Sequence, residues 1–129
     1  MPRVIQFAIG AKDPEREAEF YRTALGWRIT RKQVVVPWGE IPYWEIETGA
    51  KDSPGIDGFM LERSEPGAIT VNVIQVSFLD ETVRSIEQHG GKVLEGRQAV
   101  PGIGWLAVCQ DPQGMIFDVL EPDPKAAFA

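Results

Sequence analysis

The chain has 129 residues, 43% of them hydrophobic and 25% charged, with a formal net charge of −6; this is enough for one domain with its own core. The acidic balance and the lack of a basic run argue against nucleic acid and anionic membranes as partners, since both need clustered Lys and Arg. One cysteine, Cys109, cannot form an internal disulfide, and no apolar run reaches membrane-spanning length, so a cytoplasmic protein is expected.

Residues 4–10 alternate and read as a strand. Asp13-Pro14-Glu15 starts a helix: Asp13 is an N-cap, Pro14 suits the first helical position, and Glu15 and Glu17 favour the positive helix end. Ala18, Tyr21, Ala24 and Leu25 form an apolar stripe with Phe20 beside it, and Gly26 is placed to end the helix. Residues 27–36 and 41–48 are β-rich around a Pro37–Glu40 turn, a polar loop runs from Gly49 to Gly58, and 58–63 make a fourth strand. Ser64-Glu65-Pro66-Gly67 reads as a junction. There follow a strand at 70–77, a helix at about 80–89 capped around Leu79–Thr82, strands at 92–99 and 104–110, a turn at Asp111–Gly114 and a strand at 115–121. The Pro- and Ala-rich tail from Pro122 is expected to be loose.

The same order, βαβββ, thus occurs twice, in repeats 4–63 and 70–121 of one domain spanning 1–129. From Gln6 to Leu25 and from Val71 to Gly90 the spacing is the same, 25 − 6 = 90 − 71 = 19. A repeat at this scale decides the architecture. The fold class expected is α+β, and Gln6 and Val71 are expected at equivalent positions. The glycines Gly58 and Gly114 align the last strands and set Glu62 against Asp118, each four residues on.

Several groups of residues together resemble one family. They are Asp13-Pro14-Glu15-Arg16 with Phe20-Tyr21 and Leu25-Gly26-Trp27, then His89-Gly90-Gly91-Lys92-Val93, Val100–Trp105 and Asp111-Pro112-Gln113-Gly114. Their order over residues 4 to 121 resembles the vicinal oxygen chelate superfamily of glyoxalase I, bleomycin- and fosfomycin-resistance proteins and extradiol dioxygenases, most of all its glyoxalase-related bacterial branch. The resemblance implies two tandem βαβββ modules with a U-shaped cleft between curved mixed sheets, often completed by a dimer. It also implies a divalent metal on four strand positions, one on the first and one on the last strand of each module. Carried onto this chain, those positions are Gln6, Glu62, Val71 and Asp118. Valine ligates nothing, and sliding Asn72 into its place would turn Ile74 and Val76 toward the cleft. The lone histidine, His89, reads as a helix-end residue, so no His-rich site is available. No cofactor is expected; if there is one, it is a weakly bound Mg²⁺ or Mn²⁺.

The residues themselves offer further candidates. Glu62 and Asp118 are candidate catalytic carboxylates, able to act as an acid–base pair if close together. Gln6 and Gln75 are candidate ligand-binding amides on the cleft face. Trp44 and Trp105 either wall an aromatic pocket or serve as core and dimer contacts. Cys109 reads as a buried, inert thiol. The expected function is a small-molecule binding protein with a degenerate metal site. The alternatives are a divalent-metal lyase or isomerase of the glyoxalase type and an acid/base enzyme using Glu62 and Asp118. A small organic ligand and a homodimer are the expected partners.

Overall fold

The structure, a computed structural model, describes residues 1–63 and 69–127; the expected junction at Ser64–Gly67 lies outside the described residues. In chain order the elements are β1 (Arg3–Ala11), α1 (Pro14–Leu25), β2 (Arg28–Val36), β3 (Gly39–Glu47), β4 (Gly58–Glu62), β5 (Ile69–Gln75), α2 (Leu79–Gln88), β6 (Lys92–Val100), β7 (Gly104–Gln110) and β8 (Ile116–Pro122). This is the α+β arrangement of two tandem βαβββ modules. The chain forms two compact units, one of Gln6–Thr70 and one of Val71–Ala129 with Met1–Ile5.

In the first unit the strand order is β2-β3-β4-β1. β1 and β4 are parallel, from Phe7 opposite Gly58 to Ala11 opposite Glu62, and the other pairs are antiparallel. Helix α1 begins as the sequence dictates: the Asp13 carboxylate accepts the Arg16 N–H at 3.2 Å and Pro14 fills the first turn. It ends at Gly26, whose φ of 72° needs no Cβ and lets its N–H reach the Arg22 carbonyl at 3.1 Å. The helix buries Pro14 and Ala18 against Ile9, Ala11, Ile29, Trp44, Ile46 and Met60. Tyr21 and Trp27 stack at 4.8 Å between centroids and Trp27 also meets Phe7, closing this core. The stripe is narrower than expected: Ala24, Leu25 and Phe20 are exposed.

In the second unit the order is β5-β8-β7-β6, with β5 and β8 parallel and the other pairs antiparallel. Val76, Leu79, Ala107, Cys109 and Val119 form its core, flanked by Ile74, Val83, Ile86 and Phe117. Two expectations are corrected here. No side chain from Leu79–Thr82 caps α2; the Glu121 carboxylate, from β8, accepts the Leu79 N–H at 2.9 Å. The tail is anchored rather than loose. Asp123 N–H donates to the Ile103 carbonyl at 2.9 Å, Gly102 N–H donates to Ala126 at 3.0 Å, and Ala126 is buried. His89 ends α2, its Nδ1 bonded to the Ser85 carbonyl at 2.8 Å, the helix-end position expected of it.

Candidate functional site

Each sheet carries its helix on one face, and alternation along the strands assigns every other residue to the face away from that helix. In the first unit Phe7, Ile9 and Ala11 meet α1, so Gln6, Ala8 and Gly10 lie on the distal face. Register extends this face across the sheet: Phe59 and Leu61 on β4, Tyr43, Glu45 and Glu47 on β3, and Arg28, Thr30 and Lys32 on β2. Tyr43 and Phe59 are half-buried. Arg28 and Glu47 pair at 3.6 Å and Lys32 and Glu45 at 3.5 Å, all four well exposed. Exposed pairs of this kind hold geometry more than they add stability.

In the second unit Ile74 and Val76 face α2, so Val71, Val73 and Gln75 are distal. Their neighbours on that face are Asp118 and Leu120 on β8 and Leu106 and Val108 on β7. Asp118 is the one buried charged residue among those described, 7% exposed, and it keeps an interaction within the chain. A carboxylate among valines and leucines costs desolvation unless it is satisfied. The register also turns Ile74 toward the helix core, as the Val71 assignment requires, and leaves Asn72 exposed on the helix side.

The sequence candidates fall into two groups. Gln6, Gln75, Val71 and Asp118 lie on the distal faces of their own sheets. Glu62, Trp44 and Trp105 lie on the helix faces. Glu62 is opposite Ala11, and Ala11 is in the α1 core. The glycine alignment of the last strands is therefore corrected. Ile9 stands opposite Met60, and Ile74 opposite Val119. With Gln6 equivalent to Val71, Glu62 corresponds to Glu121, and Asp118 corresponds to Phe59. Phe59, which no sequence motif singles out, is legible only by alternation once the register is known.

Both tryptophans tie elements together through their indole N–H groups. Trp44 is 4% exposed and donates its indole N–H to Glu15 at 2.9 Å, with the Arg31 guanidinium over its ring at 5.7 Å. Trp105 donates to Asp123 at 3.1 Å beneath Arg97, which lies 4.3 Å from the ring centroid and bonds Asp80 at 3.2 Å. Backbone and indole hydrogen bonds together hold the Asp123 carboxyl below its ordinary range. Burial, and then the charges of Asp118 and Glu87, push the Cys109 thiol up, so it stays protonated and inert. Trp44 and Glu62, with Lys12, Asp13, Glu15, Arg31 and Pro42, line an open depression of about 450 Å³.

As for metal donors, the distal face of β4 offers Phe59 and Leu61, and the first strand of the second unit offers Val71. None of these has a lone pair for a cation. Among the described residues no three His, Cys, Asp or Glu side chains converge, and no helix is long and apolar enough to cross a membrane.

Comparison with known proteins agrees with the fold. A family model described as a glyoxalase-like domain matches residues 6–120. The Mycobacterium tuberculosis protein named "Putative glyoxylase CFP32" is 29% identical over 116 residues, which cover 87% of this chain and 41% of that relative. The chain thus spans well under half of the curated relative it matches. Methylmalonyl-CoA epimerase from M. tuberculosis superposes with a TM-score of 0.65 at 15% identity, over 94% of this chain and 88% of that one. The Mn(II)-bound glyoxalase from Novosphingobium aromaticivorans gives 0.61 at 20% identity, over 98% of this chain and 42% of that one. The structural likenesses show the fold, and the family model shows the membership: the chain belongs to the glyoxalase-like domain family of the vicinal oxygen chelate superfamily.

Proposed function

We propose that this chain binds a small organic molecule on helix-distal strand surface, with a degenerate metal site. The observation that carries the reading is the β1–β4 register, which sets Glu62 opposite Ala11 on the helix face and leaves Phe59 and Leu61, opposite Ala8 and Gly10, on the distal face that Gln6 shares. Of the four strand positions that the family uses for ligands, carried over with this register, Gln6 and Asp118 can donate to a cation and Val71 and Phe59 cannot. These residues do not fit a four-donor divalent site, and a weak Mg²⁺ or Mn²⁺ contact is the most they support.

The distal face of the first unit suits recognition instead. Tyr43 and Phe59 supply flat apolar surface, the Gln6 amide can both donate and accept, and the Lys32–Glu45 pair edges the face with charge. The ligand is held by stacking and a few hydrogen bonds, with no covalent step. A homodimer in the cytoplasm belongs to the same proposal; exposed Phe20, Leu25 and Phe78 offer apolar surface for self-association. The test is an NMR screen of aromatic fragments against the labelled protein. Hits are expected to move the signals of Gln6, Tyr43 and Phe59. Hits that move only Trp44 and Trp105 would overturn the reading.

A further inference from the structure

We infer that the depression on the helix face of the first unit is a second binding site, for a small zwitterion of the amino acid class. It lies apart from the distal strand surface, and the repeat exposes it: the same positions are tied down in one unit and open in the other. With Gln6 equivalent to Val71, the first helical residues Pro14 and Leu79 correspond, and so do Glu15 and Asp80, since 71 − 6 = 79 − 14 = 80 − 15 = 65. Glu62 corresponds to Glu121 by register. Each unit also lays an arginine of its outermost strand over a tryptophan of the next strand, Arg31 over Trp44 at 5.7 Å and Arg97 over Trp105 at 4.3 Å. In the second unit these groups are all tied. Arg97 pairs with Asp80 at 3.2 Å, Glu121 accepts the Leu79 N–H at 2.9 Å, and Trp105 donates to Asp123 at 3.1 Å.

In the first unit two of the ties are missing, each for a reason written in the sequence. Pro14 stands where Leu79 does and has no N–H to give Glu62. Glu15 stands where Asp80 does, but its carboxylate takes the Trp44 indole at 2.9 Å and not Arg31. Asp13 is committed to the Arg16 N–H. Among the described residues, Glu62 has no side-chain hydrogen bond or ion pair, Lys12 has none either, and Arg31 has only the Trp44 ring. All three are exposed, and all three line the one depression. Arg31 is opposite Trp44 and Trp44 is opposite Met60, two residues before Glu62. Strand spacings of about 4.8 Å and a rise of about 3.3 Å per residue then set the Arg31 and Glu62 Cα atoms about 12 Å apart, which leaves room for a small molecule between their charged ends. Two cations and one carboxylate remain for a ligand. An ammonium fits Glu62, and a carboxylate fits the Arg31 fork with Lys12 beside it. Trp44 is only 4% exposed, so charge and not stacking does the selecting.

The experiment is an NMR titration of the full chain with L-leucine, with N-acetyl-L-leucine, which keeps only the carboxylate, and with L-leucinamide, which keeps only the ammonium. The Trp44 indole N–H, held by Glu15 in the wall of the depression, is the reporter. L-Leucine is expected to move it and to bind about fivefold more tightly than either analogue, the scale of one exposed ion pair. The Gln6 and Phe59 signals are expected to stay still, which keeps this site and the proposed function separately testable. Glu62→Gln is expected to bring L-leucine down to the level of the acetyl compound and Arg31→Gln to that of the amide, both with thermal stability nearly unchanged. Pro14→Ala restores the N–H that Leu79 has, so it is expected to tie up Glu62 and weaken L-leucine with every charge still present. No movement of the Trp44 indole, equal binding of the three compounds, or an advantage of L-leucine that survives Glu62→Gln would overturn the site. Full binding by Pro14→Ala would contradict the comparison of the two units.

Discussion

Ala11 and Glu62 are register partners on β1 and β4, and because Ala11 lies in the α1 core, Glu62 shares the helix face. Its side chain is exposed beside the start of α1, whereas Asp118 is buried on a distal face. The two carboxylates should therefore respond differently to removal. Glu62→Ala is expected to change stability by no more than about 0.5 kcal/mol. Asp118→Ala, which strips the partner from whatever group it satisfies, is expected to cost about 1–3 kcal/mol. Urea denaturation of both variants checks this, and equal effects would contradict it.

Trp44 fastens β3 to the first turn of α1 through Glu15. Trp44→Phe keeps most of the ring and deletes the N–H, leaving the cross-element hydrogen bond unmade. The expected loss is about 1–2 kcal/mol, from the bond and the reduced volume together. Glu15→Gln retains an acceptor and should lose less. A denaturation midpoint unchanged in Trp44→Phe would show that the bond adds nothing.

The tail is held by a carboxylate, so it should open in acid. Asp123 has its carboxyl lowered from 3.8 by the Lys125 backbone N–H and then by the Trp105 indole. A depressed carboxyl contributes stability that is full above the unfolded value and is lost as pH falls through the folded one. Below pH 4 the Trp105 indole proton should shift and the Lys125 amide should exchange faster. Asp123→Asn should show the weakened state at neutral pH. An indole signal that ignores pH through this range would contradict the anchoring.

Cys109 gives the opposite sign at the other end of the scale. Its thiol is raised above 9.0 by burial, so the unfolded chain releases that proton first as pH climbs. The folded state should lose stability above about pH 9 from this group, and Cys109→Ala should lack that part of the decline. A thiol reagent should label the native chain only after denaturant is added. Fast labelling of the folded protein would show an accessible thiolate.

The order of elements was legible because it is written in local chemistry. Asp13, Pro14 and Gly26 mark α1 by caps that depend on their own backbone, and the 19-residue spacing marks the repeat. The register of the last strands was not. Gly58 is the first residue of β4, under Phe7, whereas Gly114 sits in a turn at φ 93°, two residues before β8. The same residue type answers two different needs, so aligning on it shifts Glu62 by three positions. The Glu121 cap of α2 and the docking of Asp123 on Ile103 join residues far apart in sequence, which no local signal reports. Residue type alone does not separate Trp44 from its neighbour Tyr43; the register does, with Trp44 on the helix face and Tyr43 on the distal face.

The proposed function requires that the chain hold no stoichiometric metal. The most direct measurement is the metal content of the purified chain by mass spectrometry, before and after incubation with Mn²⁺ and Zn²⁺ and dialysis. Far less than one ion per chain is expected in each case, with a thermal midpoint that a chelator leaves unchanged, because a metal held only by the native state would stabilise it. One ion per chain that survives dialysis, and that Asp118→Ala removes, would contradict it.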